Sequence, residues 1–532
     1  MFTTDTASDY ADLLDRLHTF LTAKGSAFGL TYAGTGDGTL TAYSGGASSV
    51  AETFTITATS STSFNVVGSV SGSIGPATVG TPFAHAKIEF LISAGGTAFV
   101  AGDEFELATA PPWTSKRKAL GCRVTATQGN AGPFGVQNIV DGKKVVSTQC
   151  WQVTSPVTVP QDVEVEFFEA ETIETYQMGA LMSSYYSSLP YAWTLQYWDG
   201  DSWEDLDTQS GHNDWTEEVV KTFEISSPVS ATKYRLHITE TNSSSRLRLG
   251  LLRLLRTDGV DAAFSQTIWE APGNDGDSEI LVGVHLFERQ DADYFNWEIG
   301  AFDAFAAGTQ WRDQAGHHSR LYLPLWDESI PYWFIADGRH VIVVAKLNTQ
   351  YEVAYLGLID SYFSPSQWPY PIALGGSLAF EAEIPDWDDD AWRWSNASLQ
   401  HRAFTHSDPG DGDNDDVGSY QMRARDLSGG WYGFAGLWND NGCSGSSGMN
   451  LIWPYCCGLE LLDANRDGGY LLLPVMLMAQ TPNTLGELAG VACVTGQGLT
   501  DETLIQDGAL DWIVFHDTFR TDRDDFFAVK LD

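Results

Sequence analysis

Carboxylates are the most abundant groups that could do chemistry in this chain of 532 residues, which has 70 Asp and Glu against 29 Lys and Arg. Two carboxylates about 5 to 10 Å apart can hydrolyse a glycosidic bond, but with so many acids such pairs arise by chance. The sequence has no G-x-S-x-G nucleophile elbow, no phosphate-binding glycine loop and no H-E-x-x-H zinc motif. It therefore predicts no catalytic residues, and a polysaccharide-degrading enzyme is the least favoured alternative.

Three groups of residues have oxygen or nitrogen atoms that could bind a cation. Residues 463–468 read D-A-N-R-D-G, like the opening of a calcium loop, but Pro474 stands where the closing Glu should be. Residues 408–416 contain five aspartates without a defined ligand spacing. His317 and His318 follow Asp313, yet neighbours on a strand point to opposite faces, so a surface loop is expected for them. The sequence predicts no metal and no cofactor.

The formal net charge of −41 excludes several classes of partner. A chain with this charge repels a nucleic-acid backbone and an anionic membrane. No apolar run approaches the roughly 18 to 20 residues of a membrane span, and residues 1–15 lack the basic start and apolar core of a signal peptide. The sequence predicts a soluble product with no nucleic-acid partner and no membrane insertion.

The six cysteines stand at positions 122, 150, 443, 456, 457 and 493, without the spacing of a zinc site. We expect buried, free thiols in a chain made in a reducing cytoplasm. A bridge between Cys122 and Cys150 is expected only after exposure to an oxidant.

Length and composition predict a mostly β, multidomain chain. At roughly 100 to 200 residues per domain the chain has three or four domains, and its 52 glycines and many aromatic residues favour strands and turns. The clearest helix spans residues 8–24, where Ser8 or Asp9 can cap the first turn and Gly25 ends the last. Its apolar residues Leu13, Leu14, Leu17, Phe20 and Leu21 form one stripe. The stripe packs either on its own domain or on a neighbouring subunit.

Residues 29–109 predict a small β-domain. Alternating apolar residues mark strands at residues 52–57, 63–68 and 88–92. The segments 64–72 and 95–105 resemble a small β-domain that recurs in tailed-bacteriophage structural proteins. Ala110-Pro111-Pro112 indicates the boundary, so the first predicted domain spans residues 1–110.

Residues 111–257 predict a β-sandwich. Trp193, Leu195 and Tyr197 alternate with polar residues, as in a half-buried strand, and the turn at residues 199–201 predicts a hairpin. Residues 234–238 repeat the alternation. The order of the segments 136–142, 193–206, 221–223 and 234–238, with Trp151 after the first, resembles the discoidin family, also called coagulation factor 5/8 type C. This resemblance implies an eight-stranded jelly roll that binds sugars or lipid head groups through loops at one end.

The discoidin resemblance implies candidate site residues. Residues 138–142 match a turn near a structural calcium in sugar-binding members, but Leu251 stands where the family has a Glu ligand, so no metal is predicted. An exposed aromatic plane with Arg or His donors is what a sugar ring needs. The predicted ligand-binding residues are Trp203, His212, Trp215, Arg246 and Arg248. The alternatives are core packing for the tryptophans and solvation at a strand edge for the arginines.

Residues 258–532 predict a β-rich C-terminal region with aromatic strands at 322–326, 330–339, 341–346 and 354–357. Together with 365–371 and 514–531 they resemble the C-terminal region of phage virion proteins from tails or baseplates. This implies a structural component of a phage tail tip or baseplate, assembled in the host cytoplasm as a trimer or hexamer with other tail or baseplate proteins. Its sandwich module either binds a host-surface glycan or packs against neighbouring subunits. A free carbohydrate-binding adhesin is the alternative.

Overall fold

The computed structural model describes residues 1–129, 134–142, 150–179, 187–216, 219–273, 280–289, 294–364, 366–368, 371–379, 403–406, 421–425, 427–435, 450–455, 469–479, 483–507, 510–516 and 526–531. Strands dominate these residues, and one α-helix lies near the N-terminus. The prediction of a mostly β, multidomain architecture is confirmed.

The N-terminal helix forms where its sequence pattern predicts. Strand β1 (Phe2–Ala7) precedes helix α1 (Tyr10–Ala23). Asp9 caps the helix, because its Oδ1 accepts hydrogen bonds from the backbone N–H groups of Ala11 and Asp12, both at 2.9 Å. The four leucines of the stripe are fully buried and Phe20 is half-buried.

Eight strands form the small β-domain: β2 (Ser26–Ala33), β3 (Thr39–Gly45), β4 (Glu52–Ala58), β5 (Ser63–Gly68), β6 (Gly72–Thr78), β7 (Phe83–Ala84), β8 (Ile88–Ser93) and β9 (Glu104–Ala110). They make a five-stranded sheet in the order β2-β9-β4-β5-β6 and a three-stranded sheet in the order β3-β8-β7. The inward apolar residues of the two sheets share one core, so the predicted alternation is the buried face of each strand. Strand β10 (Thr114–Arg117) follows this domain.

The described residues of the sandwich include a 3-10 turn (Val136–Ile139) and ten strands: β11 (Cys122–Ala126), β12 (Trp151–Thr154), β13 (Gln161–Thr172), β14 (Thr175–Gly179), β15 (Pro190–Trp198), β16 (Trp203–Gln209), β17 (Val220–Glu224), β18 (Ser230–Thr241), β19 (Arg246–Leu249) and β20 (Leu251–Leu255). One layer has the order β11-β13-β18-β15-β16, and the other combines β12-β19 with β17-β14-β20. Trp151, Trp193 and Leu195 lie in the core between the layers. The hairpin predicted at residues 199–201 joins β15 to β16.

The next ten strands and a 3-10 turn (Trp311–Asp313) are β21 (Thr267–Ala271), β22 (Ile280–Arg289), β23 (Tyr294–Phe302), β24 (His318–Leu323), β25 (Ile330–Ala336), β26 (His340–Leu347), β27 (Gln350–Leu358), β28 (Asp360–Ser361), β29 (Ile372–Gly375) and β30 (Leu378–Ala379). A six-stranded sheet has the order β10-β21-β22-β23-β24-β30. It packs on the sheet that begins β1-β25-β26-β27-β29, with α1 in the same core. We call residues 1–24, 113–117 and 267–379 the scaffold.

The last strands extend the second sheet of the scaffold. They are β31 (Met422–Arg425), β32 (Trp431–Ala435), β33 (Asn450–Trp453), β34 (Leu473–Ala479), β35 (Asn483–Cys493), β36 (Leu504–Asp507), β37 (Leu510–His516) and β38 (Phe526–Lys530), with a 3-10 turn at Phe404–His406. Their order after β29 is β31-β32-β33-β34-β35-β38-β37-β36. Strand β26 is buried on both faces, because Val341 and Val343 face the scaffold core whereas Ile342 and Val344 face a second core that includes Phe515. The sheet therefore folds back on itself and makes a third layer.

The N-terminal helix packs on the C-terminal half of the chain and not on the small β-domain with which the sequence grouped it. Strand β1 pairs antiparallel with β25, from Phe2 opposite Ile335 to Ala7 opposite Ile330. The leucine stripe shares its core with strands of residues 267–374, and Trp297 Nε1 donates a 2.9 Å hydrogen bond to the carbonyl of Tyr10. The chain leaves the scaffold after α1, returns as β10, and leaves again for the sandwich. The small β-domain and the sandwich are thus two insertions in one scaffold.

Cys122, Cys150 and Cys493 are buried free thiols, so the structure contains no Cys122–Cys150 bridge. Burial raises the pKa of Cys150 to about 12 and raises the pKa of Cys122 above its ordinary range. A thiol held protonated and shielded from solvent reacts slowly with alkylating reagents. We expect iodoacetamide at pH 8 to leave these three cysteines unlabelled in the native chain and to label them after unfolding in guanidinium, as read by peptide mass spectrometry. Rapid native labelling of Cys122 or Cys150 would contradict the described packing.

No helix in the described ranges is long and apolar enough to cross a membrane.

Candidate ligand site at the loop end of the sandwich

The strand registers define two ends of the sandwich. The chain enters at Cys122, opposite Phe167 on β13, and leaves after Leu255, opposite Thr175 on β14. We call this the scaffold end. At the opposite end β13 and β15 begin, and β16 and β18 finish. We call this the loop end, and it consists of residues 155–160, 187–189, 210–216 and 242–245, together with the first residue of β19.

The scaffold end is tied to the remainder of the chain by ion pairs. Lys118 Nζ pairs with Asp15 of α1 at 2.8 Å, and Arg123 of β11 pairs with Asp327 of the scaffold. The loop end lies at the far end of strands β13, β15 and β18 from these contacts. Loops on a rigid strand framework, away from its attachment, suit ligand binding.

His212 lies at the loop end against the aromatic core. Its imidazole is half-buried, with the ring centroid 4.7 Å from Trp193 and 5.5 Å from Phe223. The Nε2 atom lies 3.2 Å from Oε1 of Gln209. Burial, followed by the positive charge of Lys221, lowers the pKa of His212 below its ordinary value of 6.5. The imidazole is therefore neutral at physiological pH.

A hydrogen-bond chain fixes the tautomer of His212. Trp193 Nε1 donates to the hydroxyl of Tyr176 at 3.0 Å, and this hydroxyl donates to Asp207 Oδ2 at 2.6 Å. Gln209 Nε2 donates to both oxygens of Asp207, at 3.1 and 3.0 Å. The carboxylate of Asp207 only accepts hydrogen bonds, so the amide of Gln209 directs its Nε2 toward Asp207 and its Oε1 toward His212. Because Oε1 is an acceptor, Nε2 of His212 must carry the proton. The Nδ1 atom of His212 then has a lone pair and accepts hydrogen bonds.

Asn242 holds three loops of this end together. Its Nδ2 lies within hydrogen-bond distance of the carbonyls of His212 (2.8 Å), Leu189 (3.1 Å) and Pro190 (3.4 Å). Arg246 follows four residues later and is exposed. Four residues of chain span at most roughly 14 Å, so Arg246 is confined to the neighbourhood of His212. Two of the predicted site residues therefore lie on the same end of the sandwich, His212 on a loop that Asn242 braces and Arg246 at the start of β19.

Trp215 and Arg248 also lie at or near the loop end, but burial excludes them as ligand contacts. Trp215 is 3% exposed, its Nε1 donates to the carbonyl of Pro190 at 2.9 Å, and the ammonium of Lys221 lies 4.5 Å from its ring centroid. Arg248 is likewise 3% exposed and its Nε donates to Gln152 Oε1 at 2.6 Å. The prediction that these two side chains bind a ligand is corrected, because neither has a surface that a ligand could reach.

Trp203 is half-buried at the scaffold end and belongs to a different surface. It pairs with Trp198 across the β15–β16 hairpin, with ring centroids 5.4 Å apart, and the guanidinium of Arg235 lies 4.4 Å from its ring centroid. The length of β16, six residue steps of about 3.3 Å each, separates it from the loop end. Trp203 and His212 therefore do not contact one small ligand together.

Sequence reasoning missed the supporting residues of this site. Asn242, Gln209, Asp207 and Tyr176 orient the loop-end side chains, yet none was predicted. The polar run Asn242-Ser243-Ser244-Ser245 between two apolar strands was the available signal for a turn with a side-chain brace. The contacts of Tyr176 and Asp207 join residues 31 positions apart, so no local pattern indicates them.

The candidate cation groups fall into two classes. Residues 408–416 and 463–468 lie outside the described residues. His317 and His318 are half-buried and not in an exposed loop as predicted: His318 begins β24 and stacks on Trp431 at 4.3 Å, whereas His317 lies 5.7 Å from Phe302. In the described ranges, no three His, Cys, Asp or Glu side chains are grouped as metal ligands. At residues 138–142, which resemble the discoidin turn near a structural calcium, Asn138 Nδ2 donates a hydrogen bond to the carbonyl of Gly135. Leu251, which stands where that family has a Glu ligand, is buried.

The most deeply buried charges lie in the scaffold. Glu298 is fully buried and accepts hydrogen bonds from Arg312 Nη1 (3.0 Å), Arg312 Nη2 (2.8 Å) and Ser319 Oγ (2.6 Å). Burial alone would raise the pKa of Glu298, but Arg312, with His285 and His317, holds it below the ordinary value. A carboxylate sealed from solvent and saturated with donors holds the fold together and is not placed to meet a substrate.

Comparisons with known proteins give partial similarities. No protein-family model matches the sequence, and no curated protein matches it. One similar solved structure, from Clostridium perfringens in complex with GalNAc-β-1,3-galactose, is 18% identical, covers 25% of this chain and 92% of that chain, and has a TM-score of 0.22. Chitosan-binding module 1 from a chitosanase/glucanase of Paenibacillus sp. is 18% identical, with 26% and 96% coverage and a TM-score of 0.21. The family 32 carbohydrate-binding module of Streptococcus pneumoniae EndoD is 17% identical, with 26% and 97% coverage and a TM-score of 0.22.

These solved structures match about a quarter of this chain and nearly the whole of their own. The ligands that their titles name are the ligands of those proteins. Similarity at this level does not assign a sugar or a contact residue to this chain.

Proposed function

We propose that the sandwich is a carbohydrate-binding module and that its loop end binds a neutral glycan through His212 and Arg246. One observation carries this proposal: a neutral imidazole of fixed tautomer lies on a loop that Asn242 braces, and an exposed guanidinium lies four residues after Asn242, at the start of β19. Sugar hydroxyls both donate and accept hydrogen bonds. His212 Nδ1 offers an acceptor and Arg246 offers donors, which is the complementary set.

The charge of the chain and the burial of its tryptophans narrow the class of glycan. A net charge of −41 disfavours polyanionic glycans, because like charges repel at long range. The two tryptophans beside His212 are both buried: Trp193 is 1% exposed, and Trp215 is 3% exposed with the ammonium of Lys221 4.5 Å from its ring centroid. Recognition at this end therefore depends on hydrogen bonds to hydroxyl groups more than on stacking of a sugar ring on an aromatic plane.

Replacing Arg246 by alanine should weaken glycan binding. Loss of hydrogen bonds from a charged donor costs about 1.5 to 3 kcal/mol, which is about a 10- to 100-fold rise in Kd. A neutral-glycan array with the full chain selects the ligand, and calorimetry gives Kd for wild type and Arg246→Ala. The control is Lys233→Ala, a half-exposed cation of the sandwich on β18 that pairs with Glu166. Equal losses in both variants, or no loss in Arg246→Ala, would remove Arg246 from the site.

Glycan affinity should depend on pH through His212. The neutral imidazole accepts at Nδ1, whereas the protonated ring can only donate. Because the folded pKa lies below 6.5, we expect Kd to be constant from pH 8 to pH 6.5 and to rise as the pH falls through the lowered pKa. His212→Gln should bind more weakly at pH 7 and lose this acid dependence. An affinity that improves on acidification would contradict the assigned tautomer.

We also propose that the full chain is a non-catalytic structural component of a tailed-phage particle, at the tail tip or baseplate, where copies assemble as a trimer or hexamer. Its support is the resemblance of the small β-domain and of residues 279–532 to phage virion proteins. Gold labelling of particles with an antibody against residues 111–257, with mass spectrometry of purified particles, tests the location. A chain that is monomeric and absent from particles would favour a free carbohydrate-binding adhesin. Release of reducing ends from host polysaccharide by the purified chain would favour a polysaccharide-degrading enzyme.

A further inference from the structure

A cavity of about 150 Å³ lies at one end of the scaffold. Residues 280–281 and 301–303, at the start of β22 and the end of β23, line it from the six-stranded sheet. Residues 358, 372, 425 and 431 line it from the sheet that packs on this one, where β27 and β31 end and β29 and β32 begin. We call it the scaffold cavity. None of these residues belongs to the sandwich, so the scaffold cavity is separate from the loop end.

Part of the cavity wall is the apolar core of the scaffold. Leu358 lies directly opposite Ile372 in the register of β27 and β29. Directly opposite residues point to the same face of a sheet, and both lie in the scaffold core with Ile280 and Ala301 of the facing sheet. Trp431 packs against the same core. These side chains make an aliphatic and aromatic wall between the two sheets.

The volume of the scaffold cavity fits one small ring. Protein interiors are close-packed, and voids larger than a water molecule are few. An apolar cavity of about 150 Å³ is large enough for benzene. The residue at position 301 is alanine, whose single methyl group leaves space that a larger side chain would fill. An unfilled apolar cavity lowers the free energy of unfolding, so a ligand that fills it stabilises the chain.

An ion pair forms the polar part of the cavity wall. Asp303 Oδ1 pairs with Arg425 Nη2, and both residues line the cavity. The two side chains are 47% and 18% exposed, so the pair lies at the solvent side of the cavity. The pair has no net charge and offers both acceptor oxygens and N–H donors. A hydroxyl group donates and accepts hydrogen bonds, which makes it the complementary group.

Two N–H groups of the lining residues have no hydrogen-bond acceptor in the part of the chain that the structure describes. They are Nε of Arg425 and Nε1 of Trp431, and both atoms are buried. The guanidinium carbon of Arg425 lies 5.6 Å from the ring centroid of Trp431, on which His318 stacks with ring centroids 4.3 Å apart. A buried donor without an acceptor destabilises a fold. A small rotation of either side chain toward a ligand oxygen would supply the acceptor.

We propose that the scaffold cavity binds a small, neutral aromatic molecule with one hydroxyl group, of about the size of phenol. The ring fills the space between the two sheets, where Trp431 offers an aromatic neighbour. The hydroxyl donates to the carboxylate of Asp303 and accepts from the guanidinium of Arg425. A carboxylate ligand is disfavoured, because it would lie beside Asp303 in a chain with a net charge of −41. This proposal does not depend on the glycan site.

The test compares phenol with toluene, which has a methyl group in place of the hydroxyl and the same number of non-hydrogen atoms. Ligand-observed saturation-transfer NMR with the full chain gives Kd for phenol, and competition with phenol gives Kd for toluene. We expect a Kd of about 0.1 to 1 mM for phenol. Because toluene lacks the hydrogen bonds to charged groups, it should bind about tenfold more weakly. Absence of saturation transfer to phenol would overturn the cavity as a ligand site, and equal Kd values would overturn the selection of a hydroxyl group.

A pair of alanine-to-leucine variants locates the ligand. Ala301→Leu fills the cavity and should weaken the binding of both compounds by about tenfold or more. Ala101→Leu, at an exposed position of the small β-domain, should leave both Kd values unchanged. Equal phenol affinity in these two variants would refute the site.

A double variant gives an independent readout, because an enlarged core residue can unfold a domain. Asp303→Ala combined with Arg425→Met removes both charges together and leaves neither unpaired. Phenol should then bind no more tightly than toluene. A retained preference for phenol in the folded double variant would refute the contact between the hydroxyl and the ion pair.

Discussion

Replacing Glu298 by glutamine is expected to destabilise the chain by about 3 to 5 kcal/mol, because it leaves the buried guanidinium of Arg312 without its counter-charge. The carboxylate is fully buried and takes three hydrogen bonds, two of them from Arg312. The amide that replaces it is neutral and can accept through only one oxygen. The measurement is the urea midpoint of the full chain, with the exposed Glu328→Gln as the matched control.

A double variant separates charge from shape. If Glu298→Gln lowers the free energy of unfolding because it leaves a buried cation without its counter-charge, then the double variant Glu298→Leu, Arg312→Met should recover a large part of that free energy. The pH dependence gives a second check. The pKa of Glu298 lies below 4.5 in the folded chain, so its contribution is present above pH 4.5 and is lost as the pH falls through the folded pKa. A single variant that unfolds like wild type at pH 7 would show that the pair contributes little.

Replacing Leu17 by alanine is expected to cost about 2 to 5 kcal/mol, the range for leucine-to-alanine changes in a core. Leu17 is fully buried in the core that α1 shares with the scaffold sheets. The cost should appear as a lower thermal midpoint of the scaffold, because the helix covers strands of the C-terminal half. Thr19→Ala, at an exposed position of the same helix, is the control. A cost below about 1 kcal/mol would place the leucine stripe outside a packed core.

Local patterns predicted the elements of this chain well. The strands at residues 52–57, 63–68 and 88–92 and the helix at 8–24 agree with the structure to within one or two residues at each end, because alternation and capping are local signals. Strand β1 was missed, since Phe2-Thr3-Thr4-Asp5-Thr6-Ala7 has few apolar residues. It forms because it pairs with the edge of β25, from Phe2 opposite Ile335 to Ala7 opposite Ile330, more than 300 positions later in the chain.

The packing partners of these elements could not be read from the sequence. The leucine stripe of α1 predicts that one face is buried but does not identify the surface that covers it. That surface is formed by strands about 250 to 350 residues away and is known only from the three-dimensional structure.

The structure brings only some of the predicted ligand-binding residues together. His212 and Arg246 lie at one end of the sandwich because both flank strand ends. Trp215 and Arg248 were wrong as contacts for different physical reasons. Trp215 turns from its loop into the core, and Arg248 lies between Leu247 and Leu249 on a strand that is buried on both faces. A role for His212 and Arg246 in ligand binding stays a prediction.

Hydrogen–deuterium exchange of the full chain, with and without the neutral glycan that binds best, tests the central claim most directly. The account predicts slower exchange of backbone amides in residues 210–216 and 242–246, with no change at the hairpin between β15 and β16. Protection at that hairpin around Trp203, or at the scaffold end alone, would contradict a glycan site at the loop end.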